Sequence, residues 1–531
     1  MKNTPENRIT MRQGGFFGMK HLKTFRAALL MAALLLLCCA GAQAAGETDQ
    51  RLMPLVSIRT VDPGEGTRFV TEPVKANVAA DIATWTPDYV TPPEPYYADC
   101  TVSYTGTDGV TSVDSMQAQV KVRGNWTTSY EKKPLRIKFA EKQSLGGLNG
   151  GKAFKNWVLL AEYKDLSMLR DKTAFRLGHE ILDEGLYCSD CELVEVEING
   201  EYWGVYLLAE QQEAAKGRVN VPEPKADETG PYVGYFLEYD SYYTLESPLQ
   251  GFTIDFNHFA PLIPFDGSGN AEPFPPLCTD PDLKENLVGF TIKSSIRSQE
   301  QHDTIRNFVS NAYVIMYSAA YDDTALEMTA DFSGTVPSAK TPREAVEAVV
   351  DVQSLADMYL LSEITCDPDI YYSSFFMSAD LSPEGGRKLR FEAPWDFDSA
   401  MGNRYVIEDA QGLYAANVMD DVNHVFQTIN PWLTVLMQQE WFTDIIARKW
   451  TDLYDRGVFS DAVEAIRSDS RKYEAAFTRN YQRWNNMEDK SAIDYDLNRE
   501  AFACRSEAES AEQLARWLEK RIHFLNGVWH Q

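Results

Sequence analysis

Val120-Lys121-Val122-Arg123-Gly124-Asn125-Trp126-Thr127, with Lys132-Lys133-Pro134-Leu135-Arg136-Ile137-Lys138-Phe139 just beyond it, decides how the chain is read. Gln119 to Val122 reads as a strand, Arg123 to Lys133 as a polar loop, and Leu135 to Phe139 as a second strand with period-two alternation. Arg123, Lys132, Lys133 and Lys138 lie on or beside that loop, where cations and backbone amides can cover phosphates.

Working outward, a Gly-rich turn from Gly146 to Gly151 leads into the continuous apolar strand Trp157-Val158-Leu159-Leu160-Ala161. Asp165 or Ser167 can cap the following helix, on which Leu166, Leu169, Ala174, Leu177 and Ile181 recur at helical spacing. Two further strands, Leu193 to Ile198 and Val205 to Leu208, are joined through Asn199-Gly200. Upstream, short apolar runs such as Leu55 to Ile58 and Cys100 to Tyr104 alternate with Pro and Gly, as in a small β-rich region.

Residues 213–298 are rich in Pro, Gly and aromatics and read as a long irregular insertion. Helical periodicity then dominates over Gln299 to Ala319, Arg343 to Ile364, Trp432 to Leu453, Asp461 to Gln482 and Ser506 to Phe524. Between the second and third of these helices, Ser374 to Met377 and Lys388 to Phe391 read as a hairpin turning at Gly385-Gly386. Its far strand delivers Trp395-Asp396-Phe397-Asp398. The expected organisation is a leader over 1–44, a β-rich N-terminal region over 45–110, a small lobe over 111–212, the insertion over 213–298 and a helical large lobe over 299–531.

Hydrophobic residues at 44% and aromatics at 12% are too many for a solvated coil. With 50 Lys and Arg against 78 Asp and Glu, the formal charge of -28 repels a phosphate backbone, so no nucleic-acid partner is expected. Lys20, Lys23 and Arg26 precede the apolar run Ala27 to Ala40, and Ala42-Gln43-Ala44 suits a signal peptidase, which predicts export with cleavage near Ala44 and no stable membrane span. Met19 would start a shorter leader of the same kind; Leu37 and Cys38 are large for the position before a lipoprotein Cys38 or Cys39. Cleavage leaves Cys100, Cys188, Cys191, Cys278, Cys366 and Cys504, an even set in an oxidising compartment. The Cys188-x-x-Cys191 pair reads as a local disulfide or two inert thiols, since neither a second pair nor a nearby His completes a zinc site.

The Arg123-Gly124-Asn125-Trp126-Thr127 and Lys132-Lys133-Pro134 blocks resemble the signature of the spore-coat-protein-H (CotH) kinase family. Four more blocks match in order: Trp157 to Ala161 with Leu169-Arg170; Ile198-Asn199-Gly200-Glu201-Tyr202-Trp203-Gly204-Val205-Tyr206; Asp367-Pro368-Asp369; and Pro394-Trp395-Asp396-Phe397-Asp398. The resemblance implies an α+β, protein-kinase-like two-lobed fold, with a β-rich N-terminal lobe and a mainly helical C-terminal lobe. It also implies a secreted phosphotransferase that uses ATP and Mg²⁺ on a protein or other hydroxyl-bearing substrate. The strand–loop–strand–strand–helix–strand–strand order is independently that of a kinase small lobe.

Phosphoryl transfer needs a divalent metal, a cationic grip on phosphates and a carboxylate that orients the acceptor hydroxyl. By this resemblance Asp369, with Asp367 as fallback, is the candidate base, placed after one helix and before the hairpin. A plain helix-ending turn explains the same pair. Asp396 and Asp398 are candidate metal ligands, being two apart on an extended strand and so on one side; a turn stabilised by side-chain acceptors is the alternative. Ser374 stands where kinases keep a metal-binding Asn. Arg123, Lys133 and Lys138 are candidate nucleotide contacts, Lys133 foremost, and Glu210 ends the strand where a hinge would meet adenine. Trp157 to Ala161 lacks the kinase lysine; Arg170 either replaces part of that ion pair or makes a surface salt bridge.

Other motifs fall away. Gly146 to Lys152 fits G-x-x-x-x-G-K, but Ala153 stands where the magnesium-binding hydroxyl belongs and a strand follows. His179-Glu180 lacks its second His, and no G-x-S-x-G stands where a hydrolase would put it. The rival class is a non-catalytic spore-coat or cell-envelope assembly protein that keeps the fold; a glycan-binding module has only its 11 Trp and 26 Tyr behind it.

Overall fold

Seven strands open the described part of the chain: β1 (Leu55–Thr60), β2 (Ala98–Thr105), β3 (Thr111–Val122), β4 (Leu135–Gln143), β5 (Phe154–Leu160), β6 (Cys191–Ile198) and β7 (Glu201–Glu210). The computed structural model describes Leu52 to Gln531 apart from 77–78, 80–82, 84–88, 260, 275–287, 405–406 and 421–426. The expected leader and Cys278 lie outside the described residues.

The seven strands close into a barrel in the order β1-β2-β3-β4-β5-β7-β6. β1 meets β6 in parallel, from Leu55 opposite Glu195 to Ile58 opposite Ile198. All other neighbours are antiparallel. The stretch expected as a separate β-rich region therefore supplies β1 and β2 to the same closed sheet as β3 to β7. Closure leaves no strand edge to template aggregation.

Period-two alternation also explains the unbroken apolar runs. In β5, Trp157 and Leu159 point into the barrel while Val158 and Leu160 join the main core outside it. In β7, Tyr206 and Leu208 point in while Val205, Leu207 and Ala209 point out. A wall buried on both faces reads as continuous hydrophobicity.

Against the wall's outer face lies α1 (Arg170–Ile181), whose start is fixed by Asp165. Asp165 accepts from the N–H groups of Leu169 at 3.0 Å and Arg170 at 2.8 Å, with a longer Leu169 bond to Ser167 Oγ at 3.3 Å. Uncapped N–H groups of a first turn need such an acceptor.

The insertion is not irregular throughout. It holds β8 (Gly234–Asp240), β9 (Gly251–Phe252) and β10 (Gly289–Ile292). After α2 (Gln299–Tyr321) and the small hairpin of β11 (Leu326–Met328) and β12 (Thr335–Pro337) come α3 (Pro342–Val349) and α4 (Val352–Thr365). The expected hairpin follows as β13 (Phe375–Asp380) and β14 (Leu389–Phe391). β13 pairs with β8, giving a five-stranded sheet in the order β14-β13-β8-β10-β9.

The continuous helix expected from Arg343 to Ile364 breaks at Val350, which bridges to Leu389, and Asp351 caps α4 through Ser354 N–H. The helix expected from Trp432 divides likewise; Asn430 caps a first turn, and α5 (Glu440–Asp455) begins afresh. α6 (Val458–Trp484) and α7 (Glu507–Trp529) complete a helical C-terminal part. α6 reaches the barrel: Asn480 Oδ1 accepts Val205 N–H at 3.1 Å and Trp484 Nε1 donates to Trp203 O at 2.7 Å. Gly204, at φ +125°, permits this approach, since a Cβ there would lie 2.6 Å from Asn480 Oδ1. No described helix is long and apolar enough to cross a membrane. Cys100, Cys188, Cys191, Cys366 and Cys504 are free thiols, so the Cys188–Cys191 pair is not a disulfide here.

A buried ion pair anchors α4 to α7. Arg521 Nη2 lies 2.6 Å from Glu363 Oε1, both side chains fully buried, and Glu363 also accepts from Tyr414 and Ala415 N–H at 2.9 and 2.8 Å. Removing one partner strands the other charge without solvent. Arg521→Met is expected to lower unfolding free energy by about 3–5 kcal/mol, with much of the loss recovered in the Glu363→Gln/Arg521→Met double variant, as read by urea unfolding.

Candidate active site

Four segments far apart in sequence bring charged side chains to one place. The residues after β5 supply Glu162, Lys164 and, on the first turn of α1, Asp171. The chain leaving α4 supplies Asp367 and Asp369; that leaving β14 supplies Asp396, Asp398 and Arg404; the segment after α6 supplies Asp496. Non-glycine residues with left-handed backbone crowd these exits: Glu162 at φ +50°, Cys366 at +47°, Ser374 at +59°, Ala393 at +62° and Asp396 at +70°. Such conformers persist only where surrounding contacts over-determine them, and they gather at functional sites. Asp396 and Asp398 thus lie past β14 rather than on an extended strand, so their proximity comes from a strained turn and not from strand alternation.

Lys164 is the hub. Its Nζ lies 3.1 Å from Asp398 Oδ1 and 3.2 Å from Asp496 Oδ2, and it donates to Ser399 Oγ. Arg404 Nε is 2.6 Å from Asp496 Oδ1. Burial alone would lower the Lys164 ammonium, but Asp398 and Asp496 override it and hold it well above the usual lysine range.

The aspartates press on one another. Burial, then Asp398, Asp369 and Asp171, push Asp396 well above the ordinary carboxyl range. No hydrogen bond or ion pair to a described residue holds its carboxylate. Asp369 is raised by burial, offset by Lys164 and Arg404. Asp367, 1% exposed, accepts Asp369 N–H at 3.0 Å and is pushed well up by burial and then by Asp369. Asp369 and Asp396 remain half-buried, within reach of solvent.

Behind them, Asp171 Oδ1 accepts Phe397 N–H at 2.7 Å and so holds the turn between Asp396 and Asp398. Glu162 sits beside Asp171, fully screened, its carboxyl raised well up by burial and then by Asp171. Burial and Asp398 raise Asp171 to about 7. Neither Glu162 carboxyl oxygen has a hydrogen-bond partner among the described residues.

Arg123 joins this group. Its guanidinium lies 5.5 Å from the Trp395 ring centroid. Burial lowers its pKa, while Asp396, Asp171 and Glu238 favour its charge. Gly124, at φ +103°, lets the loop fold there, for a Cβ would meet Thr127 Oγ1 at 2.4 Å.

The remaining expected site residues have their partners outside this cluster of acids. Lys133 is buried and donates to Tyr130 O at 2.7 Å. Lys132 donates to Val205 O, and burial brings it down to about 7. Lys138 is exposed on β4, 6.0 Å from the Tyr97 ring. Arg170 reaches Asp165, Gln513 at 2.8 Å and Ala400 O at 3.0 Å, and so braces the loop behind the aspartates. Glu210 is held by Arg218 at 3.1 Å and Asn149 at 2.7 Å. Ser374 donates its N–H to Glu238 at 3.0 Å. Glu162, Lys164, Asp171, Arg404 and Asp496 were not foreseen; Glu162 and Lys164, just past Ala161, and Asp171, next to Arg170, stood beside recognisable blocks.

Among the described residues no group of three or more His, Cys, Asp or Glu converges as a metal site. Asp396 and Asp398 nevertheless offer hard oxygen donors; Lys164 pairs with Asp398, and the Asp396 carboxyl has no such partner among the described residues. Magnesium is often held by one or two carboxylates together with substrate phosphates, which a two-aspartate set suits.

Burial also raises Asp357 to about 7 and Glu507 to about 8. The native chain keeps protons that an unfolded chain, with carboxyls near 4, has lost. This contribution is full below the unfolded values and is lost as pH rises through the folded ones. In chelator, the urea midpoint is expected to fall from pH 5 to pH 8, and Glu162→Gln to flatten the fall; a midpoint rising over that window would contradict these buried acids.

No curated protein matches the chain. Residues 120–525, which include every segment of this site, match the family described as CotH kinase protein. With most of its length covered, the chain belongs to the CotH kinase family.

Proposed function

We propose that the chain is an exported, magnesium-dependent phosphotransferase that moves the terminal phosphoryl group of ATP to a hydroxyl on a protein or other extracytoplasmic substrate. In this reading the barrel is the small lobe of a kinase-like pair, the helical part is the large lobe, and the aspartates stand between them. The observation that carries it is the meeting of Asp369, from the exit of α4, with Asp396 and Asp398, from the exit of β14, beside Arg123.

Asp396 and Asp398 would hold Mg²⁺, which when bound supplies neutralising charge for the phosphates. Arg123, facing Asp396, offers a cation to the nucleotide. Asp369 takes the proton of the acceptor hydroxyl while the hydroxyl oxygen bonds to the γ-phosphorus; the bond to the β–γ bridging oxygen breaks and ADP leaves. A carboxyl raised above its ordinary range has the proton affinity such a base needs. Asp367 orients Asp369 through the backbone N–H and is the alternative base. Asp171 keeps the Asp396–Asp398 turn in place. The basic, apolar leader ending near Ala44 supports export.

Transfer of label from γ-labelled ATP to secreted proteins tests the assignment. Asp369→Asn and Asp396→Ala are each expected to lose at least about a hundredfold in rate, whereas Lys138→Ala on the outer barrel face keeps most of it. Equal labelling by wild type and both aspartate variants would remove these residues from the reaction.

A further inference from the structure

Asp496 is placed as a bound anion would be. One oxygen lies 3.2 Å from Lys164 Nζ and the other 2.6 Å from Arg404 Nε, so the carboxylate spans two cations of different segments. The three side chains are 7% to 13% exposed, which makes this an enclosed site and not a surface ion pair. Burial would raise Asp496, yet Lys164 and Arg404 together bring it below the usual carboxylate range.

The carboxylate is not needed to satisfy Lys164, which already has Asp398 at 3.1 Å and Ser399. Nor does it relieve the crowded acids, since Asp496 raises Asp369 further. Its segment also lacks a helix or strand of its own. Residues 485–498 follow the left-handed cap of α6 at Asn485 and run as turns. They rest on the 126–130 loop and the end of β5 through a small cluster of their own, in which Met487, Ile493 and Leu497 meet Tyr130, Tyr163 and Leu166. Asn486 Nδ2 to Tyr163 O at 2.8 Å, Lys490 Nζ to Cys504 O at 2.8 Å, a bridge between Leu497 and Arg404, and Asn498 N–H to Asn403 O at 2.8 Å tie it down.

We propose that Lys164 and Arg404 form a binding site for a phosphate-type oxyanion, and that Asp496 occupies it as a resident substitute, so that the anion enters only when the 485–498 segment withdraws. The choice of a phosphate rests on the phosphotransfer reading: the site adjoins Asp369 and Asp398, and a phosphoryl group carries more charge and one more acceptor oxygen than the carboxylate it displaces. The segment is then a gate on the reaction centre, and strength of docking at Ile493 and Leu497 sets how much of the chain is open.

Calorimetry of the full chain with inorganic pyrophosphate tests this without any turnover. Asp496→Asn is expected to bind at least about tenfold more tightly than wild type, and Asp496→Asn/Lys164→Met to lose that gain. Ile493→Ala, which loosens the docking and leaves every charge in place, is expected to shift affinity in the same direction. A folded Asp496→Asn chain that binds no better than wild type overturns the proposal, as does a gain that survives Lys164→Met. Should Asp496→Asn not fold, an unchanged affinity in Ile493→Ala overturns it. A pyrophosphate gain in a chain that transfers no phosphoryl group keeps the gated anion site and removes the phosphotransfer reading; active transfer without the gain does the reverse.

Discussion

One ammonium group, that of Lys164, holds three separate segments against their own repulsion. Carboxylates do not gather in an enclosed space unless cations or protons share it. Here Lys164 pairs with Asp398 and Asp496, Arg404 shares Asp496, Asp396 favours the charge of Arg123, and burial raises the carboxyls of Glu162 and Asp171. The cations do not settle the balance, since Asp396, Asp369 and Asp367 all stay above the ordinary carboxyl range. A site left in that state has an electrostatic reason to take up a divalent cation.

The fold exists to aim these groups. β5 and β7 are buried on both faces, which fixes the barrel wall from which Lys164 emerges. α4 ends in a left-handed residue that turns the chain into Asp367, and the Glu363–Arg521 pair fixes that end of α4 against α7. α6 crosses from the helical part to the barrel, where Gly204 allows contact with Asn480, and then releases the segment that carries Asp496. Backbone strain at Glu162, Cys366 and Asp396 is concentrated at these exits, where the surrounding packing offsets its cost.

Local periodicity made much of this legible. The strands of the barrel, the cap at Asp165, the hairpin before Asp396 and the long α2, α6 and α7 follow from alternation, helical spacing and turn residues. Closure of the barrel did not, because β1 pairs with β6 across more than a hundred residues and pairing partners leave no mark in sequence. The strands of the insertion are two to seven residues long and gain their stability from β13, so no local signal announces them. Of the charged groups that gather here, Asp367, Asp369, Asp396, Asp398 and Arg123 stand in the short ordered blocks. The lysines before Pro134 drew attention by their charge and their place in the same ordered blocks, yet Lys133 bonds to its own loop and Lys132 to the barrel wall, as buried ammonium groups must where no carboxylate is offered. Lys164 and Asp496 escaped notice because their meaning lies in a pairing over three hundred residues.

The central claim is that the aspartates leaving α4 and β14 serve one bound nucleotide. A crystal structure of the chain with Mg²⁺ and a non-hydrolysable ATP analogue tests it most directly. The account predicts metal density ligated by Asp396, with the terminal phosphate facing Asp369. A nucleotide bound away from both aspartates, or a metal ligated by neither Asp396 nor Asp398, would contradict it.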